Sequence, residues 1–481
     1  MEWIMEVVDL VNTFLWDFAL LFLLCGTGIY FTVRLRFVQV RKFGAGMKAV
    51  FGSIRLRGEK ANQDGMSSFQ SLTTAVAAQV GTGNIAGAAT AIAAGGPGAI
   101  FWMWVSAFFG MATIFAEATL AQQFKTRVEG EVTGGPVYYI RAFFTGRFGR
   151  FLAGFFSVAI IAALGFMGNM VQSNSIGVSF ESAFGVPPLA VGIAVALVAA
   201  FIFLGGAQRV SAVTEKLVPL MALLYVAGSL VILAVNWRHI LTAFEQIFVL
   251  AFSPQAIAGG VVGATVQKAI RYGVARGLFS NEAGMGSTPH AHARAKVKHP
   301  CEQGVVAMIG VFIDTFVVLT LTALVILTTG ALSSGKDGAE LAQHAFNSVF
   351  GSFGNGFIAV CMLFFAFSTI IGWYFFGEVN VRHLFGKKAV KPYAALVVLC
   401  IVLGSVLKVQ LVWDLSDLFN GLMVVPNLIG LLPLSGVVAV LCRRYEKGNL
   451  SPLQWSRRPR GRAGGQADES AAPQEGTEAD G

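Results

Sequence analysis

Charge is the first thing this sequence lacks. Only 13% of its 481 residues are Asp, Glu, Lys or Arg, about half the roughly 25% found in soluble domains, while 55% are hydrophobic. An ordinary soluble domain is excluded. Cysteine is also sparse: Cys25, Cys301, Cys361, Cys400 and Cys442 are scattered, with no CxxC or paired spacing. That excludes a disulfide framework and a thiol-metal cage and leaves small buried hydrophobes. No GxxxxGK[ST], HExxH or GxSxG occurs, so ATP-driven pumping and the common hydrolase chemistries have no motif, and the chain does not read as an enzyme. A basic leader is missing as well. Glu2, Glu6 and Asp9 make the start acidic, and the first apolar run reads as a retained helix.

What is present is a series of apolar runs. A membrane-spanning helix needs about 20 mainly apolar residues. Candidate spans are 13–33, 66–94, 98–124, 151–177, 188–206, 211–235, 258–288, 304–330, 354–380, 392–408 and 412–442. The expected fold is an all-α polytopic membrane protein with eleven transmembrane helices. Residues 1–65 form the first helix and a basic loop, 66–445 the core, and 446–481 a disordered tail rich in Gly, Ala, Glu and Asp.

Placing the N-terminus outside leaves three basic residues on the outer side, Arg238, Lys336 and Lys408; Lys268, Arg271 and Arg276 fall within a span, and the rest of the 35 Lys and Arg lie inside. This asymmetry assigns the C-terminus to the cytoplasm in the plasma (cytoplasmic) membrane. It also explains the net charge of +9 as a topology signal facing anionic lipid, not a nucleic-acid surface.

Two of the spans are interrupted. Gln79-Val80-Gly81-Thr82-Gly83-Asn84 breaks the second, and the run from Phe279 through Ser280, Asn281, Glu282, Ala283, Gly284 and Met285 to Gly286 breaks the seventh. Glycine costs roughly 1 kcal/mol relative to alanine in a helix interior, and unpaired backbone in lipid survives only where protein, water or a ligand covers it. With the first helix set aside, ten spans divide into repeat one (66–236) and repeat two (256–445). An odd number of helices inverts the second half relative to the first, so each break lies in the opening helix of its half. That is the pattern of a five-plus-five inverted-repeat transporter.

A broken helix offers N–H groups at one end and C=O groups at the other, which favour an anion and a cation respectively. Two breaks together suit a zwitterion. Gln79, Thr82, Asn84, Ser280 and Asn281 supply neutral donors and acceptors; close packing of small residues is the competing explanation. Phe166, Asn169 and Gln172 share a face of the fourth span and form a plausible cavity wall. Ser368 and Thr369, one turn before Gly372 and Trp373, suit a small alkali cation beside freed carbonyls, although such hydroxyls also back-bond to their own helix.

Charged residues inside spans are functional hypotheses by default. Glu282 and Asp314 are candidate ion-path or structural residues. Arg276 is expected to pair with Glu282, and Glu117 with a basic loop residue near the cytoplasmic end. His290, His292, His299 and Cys301 read as a solvated loop, not a metal site.

The long motifs are distinctive. Gly81-Thr82-Gly83-Asn84-Ile85-Ala86-Gly87, the run Ala91 to Trp104, Thr133-Gly134-Gly135-Pro136-Val137-Tyr138-Tyr139-Ile140, and Arg276 to Ser287 continuing through Pro289-His290-Ala291-His292-Ala293 resemble the alanine or glycine:cation symporter family (sodium:alanine symporters). The match covers most of 65–440. The resemblance implies a leucine-transporter-type fold and inward symport of alanine or glycine with sodium as coupling ion and no organic cofactor. By motif, the first break then takes the substrate carboxylate and the second its amino group. Gln79, Thr82, Gly83, Asn84, Phe166, Gln172, Phe279, Ser280 and Asn281 become the substrate shell, with Trp373 as a lid. The same resemblance places sodium between backbone near Ala77 and Val80 and the Ser368 and Thr369 hydroxyls. Two other readings stay open: proton coupling through Glu282 or Asp314, and a channel-like protein without coupled transport.

Overall fold

The structure is a computed structural model that describes residues 2–52, 65–252, 266–407 and 409–450. Arg55, Arg57, Lys60, Lys408, the start of the 258–288 span and the tail beyond 450 lie outside the described residues.

Helices dominate. Those that frame the site are, in chain order, α1 (Leu20–Arg34), α2 (Ser68–Gln79), α3 (Ala88–Gly95), α4 (Ala99–Gln123), α5 (Arg147–Phe184), α6 (Pro188–Phe203), α7 (Gly206–Val235), α8 (Val266–Asn281), α9 (Pro289–His292), α10 (Pro300–Thr328), α11 (Phe353–Phe385), α12 (Lys387–Val406) and α13 (Trp413–Glu446); further helices include Glu2–Phe14, Phe43–Phe51, Pro136–Phe143, Ile240–Leu250 and Gly338–Phe350. Among the described residues, seven (α4, α5, α7, α10, α11, α12 and α13) are long and apolar enough to cross a membrane, and α1 and α6 are shorter apolar helices. Their bounds lie within a few residues of the apolar runs read from the sequence. A two-stranded hairpin, β1 (Thr126–Val128) and β2 (Glu131–Thr133), joins α4 to the segment before α5.

Local chemistry explains the element ends. The helix α2 starts at a capping box: Gln70 N–H donates to Ser67 Oγ at 3.1 Å, and Ser67 N–H donates to Gln70 Oε1 at 3.1 Å. Such reciprocal bonds satisfy two of the donors a helix start leaves free. Proline opens α6, α9 and α10, where its missing N–H costs nothing.

The burial pattern is that of a bundle standing in an apolar solvent. Leu197 and Phe201 on α6, Leu223 on α7 and Leu399 on α12 are more than half exposed. The centre instead buries polar groups, including Gln79, Asn84, Glu117, Ser280, Glu282 and Asp314. Large apolar side chains therefore face outward as well as inward, and the buried polar groups are set among an apolar core, as lipid requires of charges inside a bundle. Helices α4 and α10 pack closely at small residues: a Cβ on Gly304 would fall 2.4 Å from Thr119 Oγ1.

Candidate functional site

Both interruptions exist, and they meet. The first helix stops at Gln79, leaves Val80–Gly81 unwound, and resumes through a π-turn at Gly83–Gly87 before α3. Neither Gly81 nor Gly83 has a positive φ, so glycine is required here by proximity and not by backbone conformation. A Cβ on Gly81 would lie 2.3 Å from Thr369 Oγ1, and one on Gly83 would lie 3.2 Å from Ser280 Cα.

In the second helix, α8 runs to Asn281 and regular structure lapses until α9, slightly further on than the sequence suggests. This lapse is conformational: Glu282, Gly284 and Gly286 have φ of 57°, 87° and 79°. Left-handed backbone at a non-glycine residue costs on the order of 1–3 kcal/mol, and two carboxylates help to hold it. Glu117 of α4 accepts from Gly284 N–H and Gly286 N–H, each at 3.1 Å, and from Asn427 Nδ2 at 2.6 Å. Glu282 itself accepts from Trp373 Nε1 and Ser287 Oγ.

Asp314 bridges the two breaks. Its Oδ1 accepts from Asn84 Nδ2 at 2.7 Å and from Ser280 Oγ at 2.9 Å, and its Oδ2 accepts from Thr315 Oγ1 at 2.8 Å. A direct link runs beside it, where Gln79 Nε2 donates to the Asn281 carbonyl at 2.7 Å. Asn84 also braces its own turn by accepting from Gly81 N–H at 3.0 Å. On the other side, Gln172 Oε1 of α5 accepts from Thr82 N–H at 3.3 Å. Among the described residues, Gln79 Oε1 and Thr82 Oγ1 are buried without a protein partner, and buried polar atoms left unpaired are costly.

The helix α11 adds oxygen donors next to the first break. Ser368 Oγ lies 3.2 Å and Thr369 Oγ1 3.0 Å from the Ala77 carbonyl, and both also reach the Phe365 carbonyl, at 2.8 Å and 3.1 Å. Each hydroxyl has one proton. When those protons go to Phe365, the lone pairs of both hydroxyls and of Ala77 converge, an all-oxygen set suited to a hard cation at the end of a half-helix. Val80 caps α2 in an extended conformation, and no contact of its carbonyl to Ser368 or Thr369 is seen.

Several expectations change. Phe166 is not brought to the breaks; it packs against Tyr393 with centroids 5.8 Å apart, because the π-turn Ile161–Gly168 rotates that part of α5. Asn169 donates to the Gly165 carbonyl. Arg276 pairs not with Glu282 but with Asp417 at 3.2 Å, and its guanidinium lies over Trp413. Glu117 has no basic partner among the described residues; it holds the second break. The histidines are not solvated: His290 and His292 are 1% exposed, bonded to the Ser287 carbonyl and to Gln303 Nε2. The chain after Gly286 folds back beneath the site rather than out into water. Among the described residues, no cluster of His, Cys, Asp and Glu could hold a metal ion. Trp373 packs edge-on against Phe279 at 5.9 Å.

Sequence reasoning picked out Glu117 as a charge inside an apolar run but gave it the wrong partner, and it missed Asn427, which carried no signal. Glu117→Gln replaces one acceptor with a donor facing Gly284 or Gly286. If the breaks hold a solute, its half-saturation is expected to rise roughly tenfold, about 1.4 kcal/mol, while that of an ion held at Ala77, Ser368 and Thr369 stays unchanged. Uptake titrated in both solutes checks this; equal shifts in both would contradict it.

Two discontinuous helices crossing inside a lipid-facing bundle, with freed backbone and orphaned polar atoms at the crossing, define a multi-pass secondary transporter. The chain belongs to the sodium:alanine symporter family, whose sequence model matches residues 1–454. It is 43% identical over 440 residues to the sodium/alanine symporter AgcS of Methanococcus maripaludis, covering 90% of this chain and 95% of that one. It is 41% identical over 450 residues to the probable sodium/glutamine symporter GlnT of Bacillus subtilis, covering 93% and 92%. In fold it is similar to MhsT solved with L-phenylalanine, with a TM-score of 0.54 at 14% identity over 80% of this chain and 99% of that one. This is a family of transporters, not of enzymes.

Proposed function

We propose that this protein is a sodium-coupled symporter that imports small neutral amino acids, alanine or glycine, by alternating access. One observation carries the reading. Two breaks converge on Asp314 with Gln79 Oε1 and Thr82 Oγ1 unpaired among the described residues, while an oxygen cluster at Ala77, Ser368 and Thr369 lies beside the first break. The first break receives the substrate carboxylate and the second its ammonium group. Gln79, Thr82, Gly83, Asn84, Gln172, Phe279, Ser280 and Asn281 line the site, Trp373 covers it, and sodium binds between α2 and α11. Eleven spans in a five-plus-five inverted repeat behind one extra helix, with the N-terminus outside, complete the proposal.

A zwitterion carries no net charge, so the membrane field acts on the ion. That supplies about 2.3 kcal/mol per charge per 100 mV, and a tenfold sodium gradient supplies about 1.4 kcal/mol more. One sodium then sustains a gradient of several-hundred-fold.

Proteoliposome uptake with a panel of small amino acids tests the reading: concentrative alanine uptake that stops when choline replaces sodium is the expected result. Uptake that persists in choline and collapses with a protonophore would instead favour proton coupling, for which Glu282 and Asp314, buried carboxylates without a cationic partner, are the candidate carriers. The similar identities to an alanine and a probable glutamine symporter make glutamine a necessary member of the panel. Ser368→Ala combined with Thr369→Ala is expected to raise the sodium half-saturation tenfold or more, about 1.4 kcal/mol. Unaltered sodium dependence would move the ion site elsewhere.

A further inference from the structure

The end of the molecule that the basic loops assign to the cytoplasm is laced by charges the central site does not use. Glu131, at the start of β2, accepts from Arg382 Nη1 at 2.8 Å and lies 3.5 Å from Arg294 Nη1. Arg382 also donates to Glu378 Oε1, one turn earlier on α11, at 3.0 Å. Three elements are thereby tied together: the β1–β2 hairpin, the chain just beyond the second break, and the C-terminal end of α11.

The seam beneath them is closed by main chain. Met66 N–H donates to the Arg294 carbonyl and Lys296 N–H to the Met66 carbonyl, both at 3.0 Å, which joins the approach to α2 with the exit from α9. Ser71 Oγ donates to the Ala291 carbonyl at 3.0 Å, and Gln122 Nε2 to the Ala295 carbonyl at 2.9 Å. A solute leaving the breaks on this side has to part these contacts.

We propose that the β1–β2 hairpin is a strap, with Glu131 as its latch on Arg294 and Arg382, that holds the cytoplasmic side of the transport path shut and releases it when those ion pairs part. This rests on the transporter reading above. The chemistry suits a reversible closure better than a permanent one. Arg294 and Glu378 are almost fully buried, yet among the described residues Arg294 Nε and Glu378 Oε2 have no partner. Buried ion pairs roughly break even against their desolvation, and an incompletely bonded set gains less. Burial opposes ionisation of Glu131, but the guanidinium groups of Arg382 and Arg294 outweigh it and hold the carboxyl below its usual value, so the latch is charged at neutral pH.

The test is thiol labelling of full-length protein carrying Ser71→Cys in inside-out vesicles, using a membrane-impermeant maleimide. Ser71 is fully buried at the seam, so labelling reports opening. Glu131→Gln is expected to raise the labelling rate about fivefold, the scale of a partly exposed ion pair, and Glu131→Arg to raise it further. Arg382→Lys, which keeps the charge but loses the fork that reaches Glu131 and Glu378 together, is expected to raise it by a smaller factor, about twofold. Cys25 and Cys400, which are partly exposed, are replaced by alanine throughout; the same variants without Ser71→Cys then control for unfolding, because the remaining Cys301, Cys361 and Cys442 are buried and label only if the fold is lost. Unchanged labelling in both Glu131 variants, or equal labelling with and without Ser71→Cys, overturns the strap, as does an Arg382→Lys effect matching Glu131→Gln. Raised labelling in a protein whose wild type shows no sodium-driven alanine uptake supports the strap and overturns the symport reading instead.

Discussion

Asp314→Ala is expected to lower sodium-driven alanine uptake on the order of 100-fold, about 2.7 kcal/mol of lost stabilisation. The aspartate touches both breaks at once, through Asn84 on one and Ser280 on the other. Hydrogen bonds to a charged group contribute about 1.5–3 kcal/mol each. Removing the carboxylate also leaves the Asn84 amide and the Ser280 hydroxyl buried without that acceptor. Part of the loss falls on folding, so the measurement is uptake per unit of correctly folded transporter, with alanine binding measured in parallel. Asp314→Asn sharpens the result. It keeps one acceptor oxygen for Asn84 and Ser280 and removes the titratable proton. If sodium drives transport, this variant retains more uptake than Asp314→Ala and keeps its sodium dependence. If Asp314 carries a coupling proton, gradient-driven uptake is lost while exchange of bound substrate survives. Wild-type uptake in Asp314→Ala would remove Asp314 from the site.

Gly81→Ala carries the second largest expected effect. The added methyl would sit 2.3 Å from Thr369 Oγ1 and 3.2 Å from Thr369 Cβ, inside the oxygen cluster assigned to sodium. Either Thr369 rotates away and loses the Ala77 carbonyl, or α2 and α11 separate. Overpacking of this kind costs about 1–3 kcal/mol, and here the cost falls on the ion site, so sodium half-saturation is expected to rise between about 5-fold and 150-fold. Gly87→Ala is the matched control: its added methyl meets only the Thr82 carbonyl, at 3.9 Å, and near-normal transport is expected. Sodium titration of uptake in the two variants checks this. Equal behaviour of the two would show that helix propensity, and not the approach to Thr369, governs the first break.

Hydropathy located most of the fold. The long apolar runs correspond to α4, α5, α7, α10, α11, α12 and α13 because lipid demands length and low charge from each helix separately. Family membership was legible for a related reason: the Gly81–Gly87 and Arg276–Ser287 motifs are long and contiguous. The site was only partly legible. Gln79, Asn84, Ser280 and Asn281 do come together, whereas Phe166 turns to Tyr393. A helical-face argument fails there because the π-turn in α5 shifts the register, and nothing in Ile161–Gly168 announces it.

The partners of buried charge were the least legible. Glu117 was expected to pair with a basic loop residue, Arg276 with Glu282 and the histidines with water, and the fold chose others: Gly284 and Gly286, Asp417, and Ser287 with Gln303. By itself, the sequence determined that this is a many-helix membrane protein of the sodium:alanine symporter family with two interrupted helices, because hydrophobic length and glycine-rich breaks are local properties written residue by residue. Only the tertiary structure decided that Asp314 joins the two interruptions, that Glu117 props the second open, and that Glu131 ties the hairpin to Arg294 and Arg382. A buried polar group must find its partner in three dimensions, and the Asn427 amide that reaches Glu117 lies 310 residues away along the chain.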